Sequence, residues 1–328
     1  MPLSSRGCRF RIPADAVSES RRYPRAVPEV TDHEGEIDGL PVFWRSASPN
    51  EAADGAPTPT AGAAGTAGAG AAGTAGAGAA ETAVPLYLHG VPDSSDAWLA
   101  FLARSGGLAP DLPGFGRSGK PGSLRFTIEE YADFLESFLA LTGVERVRMV
   151  VHDWGAVGLA FAQRHPRRIE RLVVMNAVPL LPGYRWHRTA RIWRTPVLGE
   201  LAMGTTNERT LRWLSREGNA TPGPMPEQWR KSVLEHFDQG TQRAILRLYR
   251  SSPPDVLAAA GERLAELNVP ALVVWGQRDP YIPARFGKAY ADVLDAQLVE
   301  LPDAGHWPWL DRPDAIDRVV EFVGAAQG

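Results

Sequence analysis

Cysteine is almost absent from this chain, since Cys8 is the only one in 328 residues. An internal disulfide and a cysteine-based zinc site are therefore excluded, and cysteine usage gives no reason to infer an oxidising compartment. Long apolar runs are also missing. No run is long enough to span a bilayer, and the first residues are polar and Arg-rich, without the apolar centre of a signal peptide. We therefore expect a cytoplasmic protein with no membrane span.

A surplus of positive charge is missing as well. The net charge is -3 at pH 7, whereas a nucleic-acid partner favours a strongly basic face. Charged residues make up 22% and hydrophobic residues 44% of the chain, which is ordinary for a globular protein. The composition therefore favours a globular protein that does not bind nucleic acid, and it leaves the function open.

Two stretches have too few apolar side chains to form a core. Residues 1–28 are polar and Arg-rich with scattered prolines, so we expect a disordered N-terminal arm. Within residues 51–83, the sequence AAGTAGAG occurs at 63–70 and again at 71–78. This Ala/Gly-rich stretch has almost no side chain to bury and cannot offset the entropy lost on ordering. We therefore expect a flexible surface loop without a catalytic role.

The remaining sequence alternates between strand-like and helix-like segments. A hairpin is predicted at 31–44, followed after the Ala/Gly-rich stretch by apolar strands that alternate with helices. This alternation predicts an α/β fold with a mostly parallel sheet flanked by helices. Between 177 and 266 the pattern changes to amphipathic helices interrupted by prolines. We therefore predict a core formed by 29–176 and 267–328, with 177–266 as an inserted helical cap above the carboxyl ends of the strands, where α/β proteins bind ligands.

The segment from Val150 to Ala156 passes from an apolar, β-branched run to an acidic residue and then to small residues. It predicts a strand, a sharp turn and a helix, with Asp153 at the apex and Gly155 allowing close backbone approach. An aspartate has a reference pKa of about 3.9 and is anionic at neutral pH, so it attacks an sp3 carbon without a base. The alternative is that Asp153 only caps the helix that follows.

Two more polar residues follow predicted strands at the same edge of the sheet. Asp279 comes after the strand that ends at Gly276, and His306 after the strand that ends at Leu301. The chain order nucleophile, acid, histidine is that of α/β-hydrolases. For Asp279 the alternative is a surface turn residue, and for His306 it is a structural loop histidine. The ordered set favours a catalytic triad over both alternatives.

On these residues the chain resembles the α/β-hydrolase superfamily, and within it the branch of epoxide hydrolases and haloalkane dehalogenases with an aspartate nucleophile. Each motif is weak alone, but five in this order form a strong signal. The matching motifs cover most of the chain from Val30 onward and are His89-Gly90-Val91-Pro92, Asp111 to Gly119, His152-Asp153-Trp154-Gly155, Asp279 and Gly305-His306.

The resemblance implies a two-step hydrolysis. Asp153 displaces a leaving group at carbon and forms an alkyl ester, and His306, oriented by Asp279, activates the water that hydrolyses this ester. The backbone N–H groups of Val91 and Trp154 are the implied oxyanion donors. The implied substrate is a small apolar electrophile, and no metal or organic cofactor is required.

The leaving group separates two possible reactions. Dehalogenases of this branch hold the halide with the indole N–H of the Trp after the nucleophile, which Trp154 matches, and with an Asn directly after His-Gly or a second lid tryptophan. Val91 stands in place of that Asn and has no side-chain donor. A lid tryptophan must then replace it, and the candidates, each of which can also be a packing residue, are Trp186, Trp193 and Trp213.

Epoxide hydrolases of the same branch use two lid tyrosines whose hydroxyl groups donate to the epoxide oxygen. Tyr249, which lies late in the cap before Arg250, resembles the second of these, and Tyr184 is the other tyrosine of the cap. A tyrosine with a merely structural hydroxyl is the alternative for Tyr249. We therefore predict an epoxide hydrolase, with haloalkane dehalogenation as the alternative.

Three other functions fit less well. Fluoroacetate dehalogenases place Arg directly after the nucleophile, and Trp154 argues against that substrate class. Ester hydrolysis would give an anhydride with the aspartate, which is a less suitable intermediate than an alkyl ester. A non-catalytic protein that binds a small apolar ligand in the same pocket remains an alternative of another class, because retained residues do not prove turnover.

Overall fold

The computed structural model describes residues 29–48 and 83–325. The predicted N-terminal arm, 1–28, lies outside the described residues, as does the predicted Ala/Gly-rich loop, 51–83, except for Ala83. None of the helices in the two described ranges combines the length and apolarity needed to cross a membrane.

The strands of the described ranges form one sheet, in the spatial order 1-2-4-3-5-6-7-8. Their bounds are β1 (Thr31–Ile37), β2 (Leu40–Ala47), β3 (Val84–Leu88), β4 (Gly107–Pro110), β5 (Val147–Asp153), β6 (Ile169–Ala177), β7 (Ala271–Gly276) and β8 (Gln297–Leu301). β2 pairs antiparallel with β1 and β4, and every other pairing is parallel. The predicted α/β fold with a mostly parallel sheet is therefore confirmed.

Local sequence signals explain where several elements begin and end. The β1–β2 hairpin turns at Asp38-Gly39, with φ of 49° and 80°, which is the geometry that Asp-Gly favours in a two-residue hairpin loop. A capping box between Thr127 and Glu130 starts the helix Ile128–Thr142, and Gly143 ends it in the left-handed region.

The α-helices of the described ranges are α1 (Leu99–Ser105), α2 (Ile128–Thr142), α3 (Val157–Arg164), α4 (Arg188–Arg194), α5 (Leu198–Gly204), α6 (Glu208–Leu214), α7 (Glu227–His236), α8 (Gln239–Ser251), α9 (Pro254–Ala260), α10 (Arg285–Leu294), α11 (Pro308–Asp311) and α12 (Asp314–Gly324). The single turn α11 is not predicted from the sequence, because four residues are too few to show a helical period.

Apolar side chains cover both faces of the sheet. Along β5, Met149 and Val151 join a core cluster with α2, α3 and α10, whereas Val150 points to the opposite face and packs with α1 and α12. This alternation follows from the two-residue period of a strand. Burial on both faces leaves the ends of the strands as the place where polar side chains reach a ligand.

The segment 177–266, for which a helical cap is predicted, contains α4 to α9 between β6 and β7. We refer to these residues as the cap. Their inner aromatic side chains contact the carboxyl end of β5, since Trp186 stacks on Trp154 with ring centroids 5.5 Å apart. The cap thus closes over the edge of the sheet at which the predicted triad lies.

Candidate active site

Asp153 is the last residue of β5 and has a strained backbone, with φ of 49° and ψ of -120°. Glycines on both sides make room for this turn. A Cβ at Gly155 would lie 2.1 Å from the carbonyl oxygen of Leu88, and one at Gly90 would lie 2.3 Å from Cβ of Asp153. The Asp153 carboxylate makes no capping hydrogen bond to the following helix, so the alternative that it serves as a helix cap is wrong.

The Asp153 carboxylate is instead held beside the other predicted site residues. Its Oδ1 accepts a hydrogen bond of 2.8 Å from the Val91 N–H, and its Oδ2 lies 3.3 Å from Nε2 of His306. Burial raises the pKa of Asp153, but the hydrogen bond and charge of His306 outweigh it and keep this pKa below its ordinary value. The group is therefore a buried anion at neutral pH.

His306 lies between two carboxylates. Its Nδ1 is 2.7 Å from Oδ2 of Asp279, on the side opposite Asp153. Burial lowers the pKa of His306, but the two carboxylates outweigh it and raise this pKa to about 10. The structure thus brings Asp153 together with Asp279 and His306, which both lie more than 100 positions further along the chain.

Asp279 is both a turn residue and the partner of His306. Its Oδ1 accepts from the backbone N–H groups of Tyr281 and Ile282, at 2.8 and 3.0 Å. Its Oδ2 accepts from Nδ2 of Asn176 at 2.7 Å as well as facing His306. Each oxygen is therefore fixed, and the surface-turn interpretation is wrong because Asp279 is buried.

Sequence reasoning missed Asn176, near the end of β6. Besides donating to Asp279, its Oδ1 accepts from the Gly276 N–H at 2.8 Å. Asn176 thereby joins β6 to β7 and orients the acid of the triad. The signal that could have identified Asn176 is its position, because it is a polar residue at the carboxyl end of a buried strand.

A second missed residue, His152, holds the backbone of His306. Its Nε2 donates to the backbone carbonyl of His306 at 2.8 Å, and its Nδ1 is buried without a hydrogen-bond partner. Burial lowers the pKa of His152 to about 3. This side chain is therefore neutral and structural rather than a second base.

The cap supplies an aromatic wall above Asp153. Tyr249 lies edge-on to Trp154, with ring centroids 5.1 Å apart, and the indole N–H of Trp154 is buried without a hydrogen bond of normal geometry. Burial and the Asp153 charge raise the pKa of Tyr249 well above its ordinary value, outweighing the opposite effect of Trp154. Tyr249 is consequently a neutral phenol that retains its proton next to the nucleophile.

Tyr184 is also a buried, neutral phenol of the cap. Its hydroxyl donates to the carbonyl of Tyr281 at 3.4 Å, and burial, followed by the charges of Asp153 and Asp279, raises its pKa. The structure therefore places both predicted cap tyrosines within the electrostatic influence of Asp153.

The three cap tryptophans that were candidates for the second halide donor differ in position. The Trp186 N–H donates to the carbonyl of Ser252 at 3.0 Å, and Trp213 is 65% exposed, so neither offers a free donor to the site. Trp193 packs against Tyr249 with centroids 5.0 Å apart. His187, which sequence reasoning missed, lies near this cluster, and burial lowers its pKa to about 4.

The Val91 N–H donates to the Asp153 carboxylate, and the oxyanion-donor role of Val91 and Trp154 remains a prediction. Within the part of the chain that the structure describes, no group of three or more His, Cys, Asp or Glu side chains is arranged to hold a metal ion.

Comparison with known proteins identifies the family. A family profile described as the alpha/beta hydrolase fold matches residues 86–313. The chain belongs to this family. This α/β-hydrolase is similar to a haloalkane dehalogenase of Bradyrhizobium diazoefficiens, with 31% identity over 72% of this chain and 85% of the relative.

Two further relatives show the breadth of the family. Haloalkane dehalogenase 1 of Mycobacterium tuberculosis is 32% identical over 65% of this chain and 77% of the relative. Epoxide hydrolase 3 of Mus musculus is 25% identical over 72% of this chain and 68% of the relative. Since these relatives are named hydrolases, the α/β-hydrolase is an enzyme of the hydrolase class.

The solved structures agree on the fold. The crystal structure of haloalkane dehalogenase DbeA from Bradyrhizobium elkani USDA94 has a TM-score of 0.68 at 24% identity, covering 89% of this chain and 96% of the other. At this identity the likeness concerns the fold alone.

Proposed function

We propose that this α/β-hydrolase opens epoxides with water through a covalent alkyl ester on Asp153. The observation that carries the proposal is the state of that carboxylate: it is buried, anionic and not a helix cap, it accepts from the Val91 N–H, and it faces Nε2 of His306 at 3.3 Å. A carboxylate in this position is suited to be a nucleophile, beside a histidine that can become the base once the ester has formed.

In the first step, a carboxylate oxygen of Asp153 bonds to an epoxide carbon, and the carbon–oxygen bond of the ring breaks. The electron pair goes to the ring oxygen, which takes a proton from the hydroxyl of Tyr249. The neutral, buried Tyr249 is suited to this role because it still holds its proton at the pH where Asp153 is ionised. The phenolate of Tyr249 then regains a proton through water from the His306 imidazolium, whose pKa falls when the ester removes the charge of Asp153.

In the second step, Nε2 of His306 takes a proton from water, and the water oxygen bonds to the carbonyl carbon of the ester. The oxyanion that forms is stabilised by the Val91 N–H and, by inference, by that of Trp154. Collapse of this intermediate breaks the bond between the carbonyl carbon and the alkyl oxygen, and the departing alkoxide takes the proton from His306 to complete the diol. The acid proton left on Asp153 then passes to His306, which restores the carboxylate and the imidazolium. Ester formation prepares this step, because it removes one of the two negative charges that raise the pKa of His306.

Haloalkane dehalogenation is the second candidate, and two observations favour it. The buried Trp154 N–H makes no hydrogen bond of normal geometry and can donate to a halide, which needs no proton. The relatives that share 31% and 32% identity are named haloalkane dehalogenases, whereas the named epoxide hydrolase shares 25%. Both reactions pass through the same ester and differ only in the leaving group, and in both the substrate is a small apolar electrophile.

The test is to supply the wild-type enzyme with a mixed panel of epoxides and haloalkanes and to measure diol and halide together. His306→Gln should accumulate the ester, seen as a mass increase on the peptide that contains Asp153. Diol formation should be lost in Tyr249→Phe and kept in Tyr290→Phe, which removes a buried hydroxyl that bonds only to the backbone of Val178 and Leu180.

Halide release that persists in Tyr249→Phe would favour dehalogenation instead. If no substrate labels His306→Gln and the wild type forms neither product, the covalent mechanism is wrong. The non-catalytic ligand-binding alternative would then gain support.

A further inference from the structure

We propose that Asp311 is a positioning residue that fastens the cap to the loop carrying His306, and so sets the base for ester hydrolysis. The inference rests on the proposed function, because it concerns the step that His306 performs. Neither the sequence motifs nor the triad geometry includes Asp311, which ends the single-turn helix α11.

The Asp311 carboxylate accepts from both sides of the cap–core boundary. Its Oδ2 receives the Gly305 N–H at 2.9 Å and the Ala220 N–H at 3.0 Å. Its Oδ1 receives the N–H of Thr221 at 2.8 Å and the hydroxyl of the same residue at 2.7 Å. One carboxylate thus bridges the residue before the catalytic histidine and two consecutive residues of the cap.

A second contact joins the same two segments directly. The His306 N–H donates to the carbonyl of Gly218 at 2.9 Å. A Cβ at Gly305 would lie 2.5 Å from that carbonyl oxygen, and one at Gly218 would lie 2.7 Å from the Trp307 ring. The cap loop 218–221 therefore lies against the histidine loop at a distance that only glycine permits on both sides.

Together these bonds hold the two consecutive backbone amides at 305 and 306. Among the described residues, the donors to the Asp311 carboxylate are the N–H and O–H groups just named and the side-chain amide of Asn219, once that amide is turned so that its nitrogen faces the carboxylate. Moving the cap loop away would leave the buried N–H of His306 without its acceptor, which is costly, and would take several donors from the half-buried carboxylate. The position of the cap and the position of His306 are therefore coupled through this carboxylate.

The coupling has a consequence for the two chemical steps. Ester formation needs the Asp153 carboxylate but no proton transfer to His306, whereas ester hydrolysis needs Nε2 of His306 within reach of a water. A displacement of about 1 Å at a positioned group can reduce a rate by about 10²-fold. Loosening the histidine loop should therefore slow hydrolysis and leave ester formation largely intact.

Asp311→Asn tests this, with Asp314→Asn as the matched control. Asp314 is a nearby carboxylate that pairs with Arg312 on the surface. In single-turnover experiments followed by mass spectrometry, Asp311→Asn should slow ester hydrolysis by about 10²-fold and change ester formation by less than about twofold, so that the ester accumulates. The control should match the wild type. Equal slowing of both steps would overturn the proposal.

A second, milder variant keeps the proposal testable if the first does not fold. If Asp311→Asn does not fold, Thr221→Val removes only the hydroxyl bond to Oδ1 and keeps the Gly305 bond. Thr221→Val should slow ester hydrolysis less than Asp311→Asn does, and it should likewise leave ester formation unchanged. A Thr221→Val enzyme with unchanged hydrolysis would count against the proposal in that case.

Amide hydrogen exchange on substrate-free protein separates this proposal from the proposed function. Exchange at 218–221 and 305–306 should be faster in Asp311→Asn than in the wild type and in Asp314→Asn. Unchanged protection at these amides would overturn the coupling whether or not a substrate is known. Conversely, a wild type that forms no ester with any substrate would refute the proposed function, while faster exchange would still support the coupling.

Discussion

At the scale of single residues, the chemistry depends on His306 lying between two carboxylates. The raised pKa of about 10 means that the free enzyme holds the imidazole as a cation. A cation there cannot accept a proton from water, so in the proposed mechanism the base becomes available only after Asp153 has been converted to an ester. The proposed mechanism therefore has a fixed order, with alkylation first and hydrolysis second.

This raised pKa predicts how stability changes with pH. The folded value of about 10 exceeds the ordinary value of 6.5, so the contribution of His306 to stability is fully present below pH 6.5 and is lost as the pH rises through about 10. The free energy of unfolding, measured with urea at pH 7, 8 and 9, should fall along this series by up to about 1.4 kcal/mol per pH unit. His306→Gln should remove this slope, and an identical slope in that variant would contradict the assignment.

Asn176 gives a second prediction at this scale. Asn176→Ala removes the donor to Asp279 and leaves the Gly276 N–H without its acceptor. Stability should fall by about 1–3 kcal/mol, because a buried donor loses its partner. Ester hydrolysis should also slow, since Asp279 is less well oriented.

The control is Asn207→Ala, at the exposed N-cap of α6. This change should lower the free energy of unfolding by about 1 kcal/mol without altering the hydrolysis rate. A normal hydrolysis rate in Asn176→Ala would show that Asp279 is held well enough by its two backbone donors.

At the scale of secondary-structure elements, the turn between β5 and α3 presents Asp153, the proposed nucleophile. Its strain at Asp153 is tolerated because the backbone packs closely against β3 and the loop that follows it. Gly155 makes this possible, since any side chain there would meet the Leu88 carbonyl.

Gly155→Ala should therefore displace the turn. We expect a loss of about 1–3 kcal/mol in the free energy of unfolding from overpacking, together with loss of ester formation on Asp153. Gly143→Ala is a suitable comparison, because Gly143 has φ of 68° but nothing within 4 Å of a new Cβ. That variant should lose about 1–2 kcal/mol from backbone strain alone and keep its activity. An active Gly155→Ala enzyme would be incompatible with the described turn.

At the scale of the whole molecule, a second carboxylate joins cap and core, and this one, Asp93, is buried. It accepts from the indole N–H of Trp229, on α7 of the cap, at 2.8 Å and from that of Trp307 at 2.7 Å. Burial raises the pKa of Asp93 to about 7, although both indoles act to lower it. Asp93 therefore titrates at a lower pH than His306, and the two effects on stability can be measured separately.

Trp229→Phe should make stability more sensitive to pH. Because the pKa of Asp93 is raised above 3.8 by folding, its contribution is present below pH 3.8 and is lost as the pH rises through about 7. Loss of one N–H donor should raise this pKa further and enlarge the fall in unfolding free energy between pH 5 and pH 7, measured with urea. Trp213→Phe, at an exposed position of the cap, should behave as the wild type. If the free energy of unfolding depends on pH equally in the wild type and both variants, the hydrogen bond from Trp229 does not affect the pKa of Asp93.

Features that depend on neighbouring residues could be predicted from the sequence alone. Strand and helix periods, the capping box at Thr127 and the turn at Asp38-Gly39 are local preferences. The proximity of Asp153, Asp279 and His306 could also be predicted, because parallel strands bring the residues after their carboxyl ends to one edge.

Only the tertiary structure decided which polar and aromatic side chains meet across distant segments. Trp186 and Trp213 belong to the same cap and look alike in sequence, yet one is buried on Trp154 and the other is exposed. The bonds of Asn176 to Asp279 and of Asp311 to the cap loop join residues about 90 to 100 positions apart. Such pairs arise from the packing of whole elements, for which a linear pattern of residue types carries no signal.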